Sequence, residues 1–418
     1  MSKKIGTLIT VLLAAFSLPA VAWHRVLSPT VKGLQVVKNS DFEDLPVLEL
    51  GSSDVLTIGF DELSHDYHRY TYRLEPCAPD WTPTGGLFES DWLRGFNGLP
   101  IEDYENSVNT AMLYTHYRLQ FPNSSCRPKM SGNYRLYITD DETDEDVIIV
   151  ELRVVEPLMN VGLAVTTNTD LDHNGRYQQV TMAVNYKGLR VTRPSDELQV
   201  FVMQNGREDN MKSGVRPDFT TPEGLRWEHN KGLIFDAGNE YHKFEVLDPS
   251  HPTMGLDITR WDEPSRTWHA WPLAVEERRS YIYDVDANGA SLQRNSDNYE
   301  IDNTSEYVYV HYQFIPKREY TDADVVISGR WTTEEPEQYV MTFDPSEGVY
   351  GATVLQKLGY YNYMLQLRDF DGTTHPLPEE GSFFQTENRY QGLVYYRRTG
   401  ERSWRLVGFQ EIVFETGH

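Results

Sequence analysis

Asp170, Asp172 and Asn174 run into Gly175, and Asp284, Asp286 and Asn288 run into Gly289. Side-chain oxygens at alternate positions ahead of a glycine are the opening half of a calcium-binding loop. The twelfth position of such a loop should carry a bidentate glutamate, yet the chain places Thr181 and Asn295 there. The flanks alternate like strands instead of helices, and Asn-Gly between strand-like flanks favours a tight hairpin turn. Turns are therefore expected at both places, with calcium as the alternative.

Two further groups could do chemistry. His65 and His68 lie close together in "SHDYHRY", but a strand would point them to opposite faces, and no third ligand is evident. Cys77 and Cys126 are the only cysteines, with no CxxC and no zinc-finger spacing. In an oxidising compartment a Cys77–Cys126 disulfide is expected ahead of two separate buried thiols, and closing that loop would contribute roughly 3–4 kcal/mol. No GxSxG, HExxH, P-loop or GxGxxG occurs, and with 63 acidic residues carboxylate pairs discriminate nothing. No catalytic centre, resident metal or cofactor is expected.

The elements that must carry these residues read as strands. Val147 to Val155, Leu198 to Val202, Tyr307 to Phe314, Val325 to Ile327 and Tyr360 to Leu367 are β-branched or aromatic runs bounded by turn residues. Helical periodicity is hardly visible. The expected fold is all-β, with several Ig-like or early-set β-sandwich domains in series. "VVEPLMNVG" and Ile315-Pro316-Lys317 mark the expected boundaries: an N-terminal sandwich over 23–156, a middle β domain over 157–316 and a C-terminal Ig-like domain over 317–418.

Residues 1–22 read as a signal peptide: Lys3 and Lys4, an apolar stretch from Ile5 to Leu18, then Ala20-Val21-Ala22. Export without a lipid anchor or membrane span follows. Losing Lys3 and Lys4 takes the formal charge from -25 to -27. Such acidity makes nucleic acid and anionic membranes poor partners, and leaves a protein surface as the easier one.

In the C-terminal third, Trp331 follows a strand and Tyr360, Tyr361 and Tyr363 lie in "GYYNYMLQL". That order resembles early-set modules that bind α-glucans through stacked aromatics. An exported α-glucan-binding protein is thus one alternative, although tyrosines two apart on a strand commonly fill a sandwich core.

Several blocks taken together are more specific. They are "FDELSHDYHRYTYRLEPCAPDWTPTGGLFESDWLRGFNGLPIEDYENSVNTAMLYTHYRLQFPN", "SGNYRL", "VVEPLMNVG", "FDAGNEYHKFEVLD", "MGLDI", "DVDANG" followed by "YVYVHYQF", and "GYYNYMLQL" before "EGSFFQTENRYQGLVYYRRTGERSWRLVGF". In this order they resemble the plug protein family of the bacterial type IX secretion system. The resemblance implies a non-enzymatic periplasmic protein that seals the periplasmic mouth of a very large outer-membrane β-barrel translocon when no substrate is in transit. It implies no membrane insertion of its own. Within the block from Asp80 to Tyr117, Trp81, Phe88, Trp92 and Phe96 are the expected interface anchors, being more aromatic side chains than a sandwich core demands.

Overall fold

Alternation of apolar and polar residues has its expected outcome: nearly every ordered element is a strand. The computed structural model describes residues 24–416, so the expected signal peptide over 1–22 lies outside the described residues. "YVYVHYQF" forms Tyr307–Phe314, with Val308, Val310, Tyr312 and Phe314 buried while Tyr309 and His311 are half-buried.

The first lobe is a sandwich. Val31–Lys38, Leu56–Glu62, Thr115–Phe121 and Asp103–Asn106 form one sheet; Tyr70–Cys77, Gly132–Asp140 and Glu145–Val155 lie in the other. Between them are buried Ile58, Phe60, Tyr70, Tyr117, Leu136 and Val150. Phe60 and Tyr117 each meet Tyr70 edge-on, at 5.3 and 4.9 Å, the arrangement aromatic quadrupoles prefer.

The middle lobe sets Asn160–Thr166 and Tyr177–Asn185 against Leu198–Gln204, Asn388–Tyr396 and Arg405–Phe414, closing on Met182, Trp227, Phe235, Tyr390 and Val394. The third lobe packs Phe244, Val310, Tyr312, Ile327, Tyr361 and Leu365 between strands running from His242–Val246 to Thr374–Pro376.

Three lobe cores are thus present, with a fourth, smaller cluster of Leu45, Val47, Met203, Leu393 and Leu406 where the first lobe meets the middle one, but the boundary expected near Pro316 does not divide two lobes. Tyr307–Phe314 pairs along its whole length with Val349–Lys357, on the other side of that proline. The chain leaves the middle lobe after Asp236, builds the third lobe, and returns with Asn388–Tyr396 beside Leu198–Gln204. Pro316 ends a strand at the rim of one lobe; a local breaker carries no information about which distant strands will pair. The middle and first lobes also share a sheet, since Val155 stands opposite Leu406 in parallel register.

The acidic loops are turns. In the first, Asp170 accepts from Gln179 Nε2 at 2.7 Å, Asp172 from the Arg176 amide at 2.7 Å, and Asn174 from the Thr167 hydroxyl at 2.6 Å. In the second, Asp284 pairs with Lys243 at 2.5 Å while Asp286 accepts the Asn288 and Tyr241 amides. The carboxylates are spent on protein donors, in the second loop partly on Tyr241 and Lys243 from a distant segment. Among the described residues no group of three His, Cys, Asp or Glu could hold a metal ion, and no helix is long and apolar enough to cross a membrane.

Candidate partner-binding surface

The block from Trp81 to Phe96 is positioned by a short helix and a two-stranded ladder. Phe88 donates its amide to Asp91 Oδ2 at 3.0 Å and so starts the helix Glu89–Trp92, whose acidic first turn suits the positive helix end. Leu93–Gly95 then pairs antiparallel with Cys126–Pro128. Gly95 sits at φ +102°, and a Cβ there would lie 1.8 Å from the Ser125 carbonyl oxygen. Only glycine lets the two backbones meet, and the following Phe96 amide is tied to that same oxygen at 3.0 Å.

These constraints split the four expected anchors into two kinds. Phe88 and Phe96 are 75% and 71% exposed, with half-buried Leu87 behind them. Trp81 and Trp92 are 8% and 6% exposed and cannot serve as contact anchors. Trp92 fills the first core beside Tyr134. Trp81, in the left-handed region at φ +63°, donates Nε1 to both Glu208 carboxylate oxygens, at 3.0 and 3.1 Å, and lies 4.8 Å beneath the Arg153 guanidinium. Arg153 also pairs with Glu208. The correction has a physical reason: an indole with one polar handle is stable where that handle finds a buried carboxylate. Trp81 is a strut between the first and middle lobes, and Arg402 of the middle lobe holds the same loop by donating to the Gly86 carbonyl at 2.7 Å.

The exposed pair therefore projects from a braced loop. Glu89, Asp91 and Arg94, which lie between the two phenylalanines in sequence, are exposed as well.

The constellation most like a catalytic centre lies elsewhere and is sealed. Asp61 and Lys357 are both 0% exposed and pair at 2.7 Å. The His116 ring donates to Asp61 Oδ1 at 2.6 Å, and the Tyr307 hydroxyl to Asp61 Oδ2 at 2.6 Å. Lys357 further donates to the Asp302 carbonyl at 2.7 Å and lies 4.2 Å from the Tyr114 ring centre. Burial works against the Asp61 carboxylate, but Lys357 and His116 outweigh it and hold its pKa below the ordinary range. With every polar atom of the carboxylate engaged, no substrate atom could enter. The group joins the first lobe to the third, together with Lys32–Glu334 and Arg118–Asp302. Sequence reading missed it because Asp61 and Lys357 are 296 positions apart.

Three other expectations are corrected or given their place. Cys77 and Cys126 are both buried free thiols. Cys126 belongs to the first core, whereas Cys77 lies on the outer face of its strand, near Arg135 and Glu151. A thiol on each face of a sheet cannot bridge without backbone movement. Burial pushes both thiols up to about 12. Ellman's reagent should find no reactive thiol in the native protein and two after unfolding without reductant; none after unfolding would mean a disulfide. Trp331 turns inward, donating Nε1 to the Asn362 carbonyl at 2.7 Å and meeting Tyr361 at 5.3 Å, while Tyr361 and Tyr363 are buried. That aromatic set is core, not a sugar platform, and Tyr360 beside it is half-buried. His68 lies 3.5 Å from Asp140 and 3.8 Å from Glu62, as an ion-pair partner, and His65 holds a left-handed turn at φ +63°.

The family described as "Type 9 secretion system plug protein 1st domain" matches residues 31–156. The crystal structure of a hypothetical protein from Parabacteroides merdae ATCC 43184 is 31% identical, with a TM-score of 0.90 over 94% of this chain and 100% of that chain. The C-terminal domains of Streptococcus agalactiae AgI/II polypeptide BspA and Streptococcus pyogenes antigen I/II-family protein AspA give TM-scores of only 0.16 and 0.18. Their identities are 7% and 8%, over 92% and 95% of this chain and 99% and 100% of theirs. No curated protein matches the chain.

Proposed function

The chain belongs to the type IX secretion system plug family, and from that premise we propose that it is a periplasmic, non-enzymatic plug. In this reading it binds the periplasmic mouth of the large outer-membrane β-barrel translocon and seals it when no substrate is in transit. The observation that carries the reading is that the plug-family first domain, over residues 31–156, contains the outward pair Phe88 and Phe96 on a braced loop. An open lumen wide enough for folded cargo would leak small solutes, so a stopper must be bulky and hold its shape. Three β lobes tied by buried ion pairs supply both properties.

A tagged mature protein should recover one very large outer-membrane barrel from detergent-solubilised envelopes, identified by mass spectrometry. Interface phenylalanines of this kind contribute about 2 kcal/mol each when buried. The double substitution Phe88→Asp and Phe96→Asp should therefore cut recovery at least tenfold while leaving thermal unfolding unchanged, since neither ring supports a core. Recovery of the protein alone would overturn the plug reading. Undiminished recovery by the double variant would overturn the assignment of this surface.

A further inference from the structure

The third lobe has a second open feature, on the outer face of Thr267–Pro272, Tyr307–Phe314, Val349–Lys357 and Val340–Asp344. Four rings stand there in near-parallel planes. Trp271 and His311 lie 4.4 Å apart at 12°, His269 and His311 5.0 Å apart at 14°, and His269 and Tyr309 5.3 Å apart at 25°. A chain of hydrogen bonds fixes the imidazoles: Thr267 to His269 at 3.1 Å, His269 Nδ1 to His311 Nε2 at 2.7 Å, and His311 Nδ1 to Thr353 at 2.9 Å.

Beside this wall lies an open cleft of 440 Å³, within the size range of small-molecule sites. Its floor includes Gly351, where an added Cβ would meet only the Tyr312 carbonyl oxygen, at 3.8 Å. Its rim carries Gln313, Gln338, Thr342, Thr353 and one carboxylate, Glu337. The side chains of Gln313 and Thr342 make no hydrogen bond among the described residues, and so remain free to serve a ligand.

The geometry points to a binding site for a neutral oligosaccharide, held between the Trp271–His311 wall and the amide and hydroxyl rim. The alternatives fit the chemistry less well. No lysine or arginine lines the cleft itself, and the nearby Arg368 is already paired with Glu337, which disfavours anionic ligands. The strands that form it are paired on both sides, so an extended peptide has no free edge to extend. A ligand rich in hydroxyls with small apolar ring faces matches a rigid aromatic wall flanked by the unspent Gln313 amide and Thr342 hydroxyl. This site shares no residue with the inward-facing Trp331 set, and it stands or falls independently of the plug reading.

The test is calorimetric titration of the full mature protein with maltoheptaose, cellohexaose and N-acetylated chitohexaose. At least one should bind saturably with a dissociation constant between about 10 μM and 1 mM. Trp271→Ala should weaken that binding at least tenfold. Because loss of the indole could disturb the sheet, Gly351→Leu provides the second variant: it fills the floor without touching the wall, and should abolish binding with the melting temperature retained. The Phe88→Asp, Phe96→Asp variant should bind the sugar normally. No saturable binding by any of the three sugars, or binding unaffected by Gly351→Leu, would overturn the proposal. So would heat evolved only with a peptide or protein ligand at the same cleft.

Discussion

Asp61→Ala should be among the most destabilising single substitutions in this protein, costing on the order of 3–5 kcal/mol. The carboxylate is fully buried and takes hydrogen bonds from Lys357, His116 and Tyr307 at once. Removing it strands the Lys357 ammonium, itself fully buried, with only the Asp302 carbonyl and the rings of Tyr114 and Tyr307 for company. Burial already pulls the Lys357 pKa down, and Asp61 is what chiefly opposes that. A typical domain has about 5–15 kcal/mol in total, so the loss should be visible as a large fall in urea midpoint. The double substitution Asp61→Leu, Lys357→Met should recover much of it, because two apolar groups leave no charge without a partner. A double-mutant cycle measures the coupling; a neutral single variant would contradict the account.

Ionisation of Asp286 and Glu151 should cost stability as pH climbs from about 4.5 to about 7.5, a contribution opposite in sense to the usual acid-labile pattern and read from urea midpoints across that range. Burial pushes the Asp286 carboxyl up to about 7, with Glu240 and Glu387 adding repulsion against the amides of Asn288 and Tyr241. Burial and the Glu208 charge likewise push Glu151 up to about 7, despite Arg135. Groups whose folded pKa is raised contribute stability below their unfolded value and lose it as pH climbs to 7. Burial, with the neighbouring His269 charge, holds His311 down to about 4, which acts in the opposite sense below pH 6.5, weakened by the half-exposed ring's contact with solvent. On the acid side, His242 and Arg278 outweigh burial and hold Glu380 at about 2, so its contribution is lost as pH falls below 4. Glu151→Gln is the clean check. Both Arg135 hydrogen bonds go to Oε1, at 2.9 and 2.8 Å, and an amide carbonyl can accept them. The variant should flatten the slope of unfolding free energy by about 1.4 kcal/mol per pH unit between 4.5 and 7. An unchanged slope would show that Glu151 is ionised throughout.

Strand content was legible because period-two burial is written locally. Tyr307 to Phe314 is a strand to the residue, and the run at Val147 widens only to Glu145–Val155. Lobe membership was not, because Asn388–Tyr396 looks like any other strand until it is laid beside Leu198–Gln204. The anchor loop was legible by half. Aromatic density in "DWTPTGGLFESDWLRGF" marked an unusual segment, but which ring turns outward depends on Glu208, 127 positions from Trp81, and on a close contact at Gly95. Phe88 and Phe96 stay outside because nothing distant claims them. The Trp271–His311 wall was not legible, since "YVYVHYQF" reads as an ordinary strand and only pairing with Thr267–Pro272 brings the two sets of rings side by side.

The return of the chain to the middle lobe has a consequence in time. A polypeptide delivered amino end first can pair the first lobe's own strands once Val155 is out, but when the middle lobe's Met182, Trp227 and Phe235 follow, the layer facing them holds only Leu198–Gln204 of its three long strands. Its missing strands, Asn388–Tyr396 and Arg405–Phe414, arrive only after the entire third lobe has emerged. For that interval a half-sandwich stands open to water and to its neighbours. Folding of this lobe is bound to be late, and a holdase has its clearest substrate there.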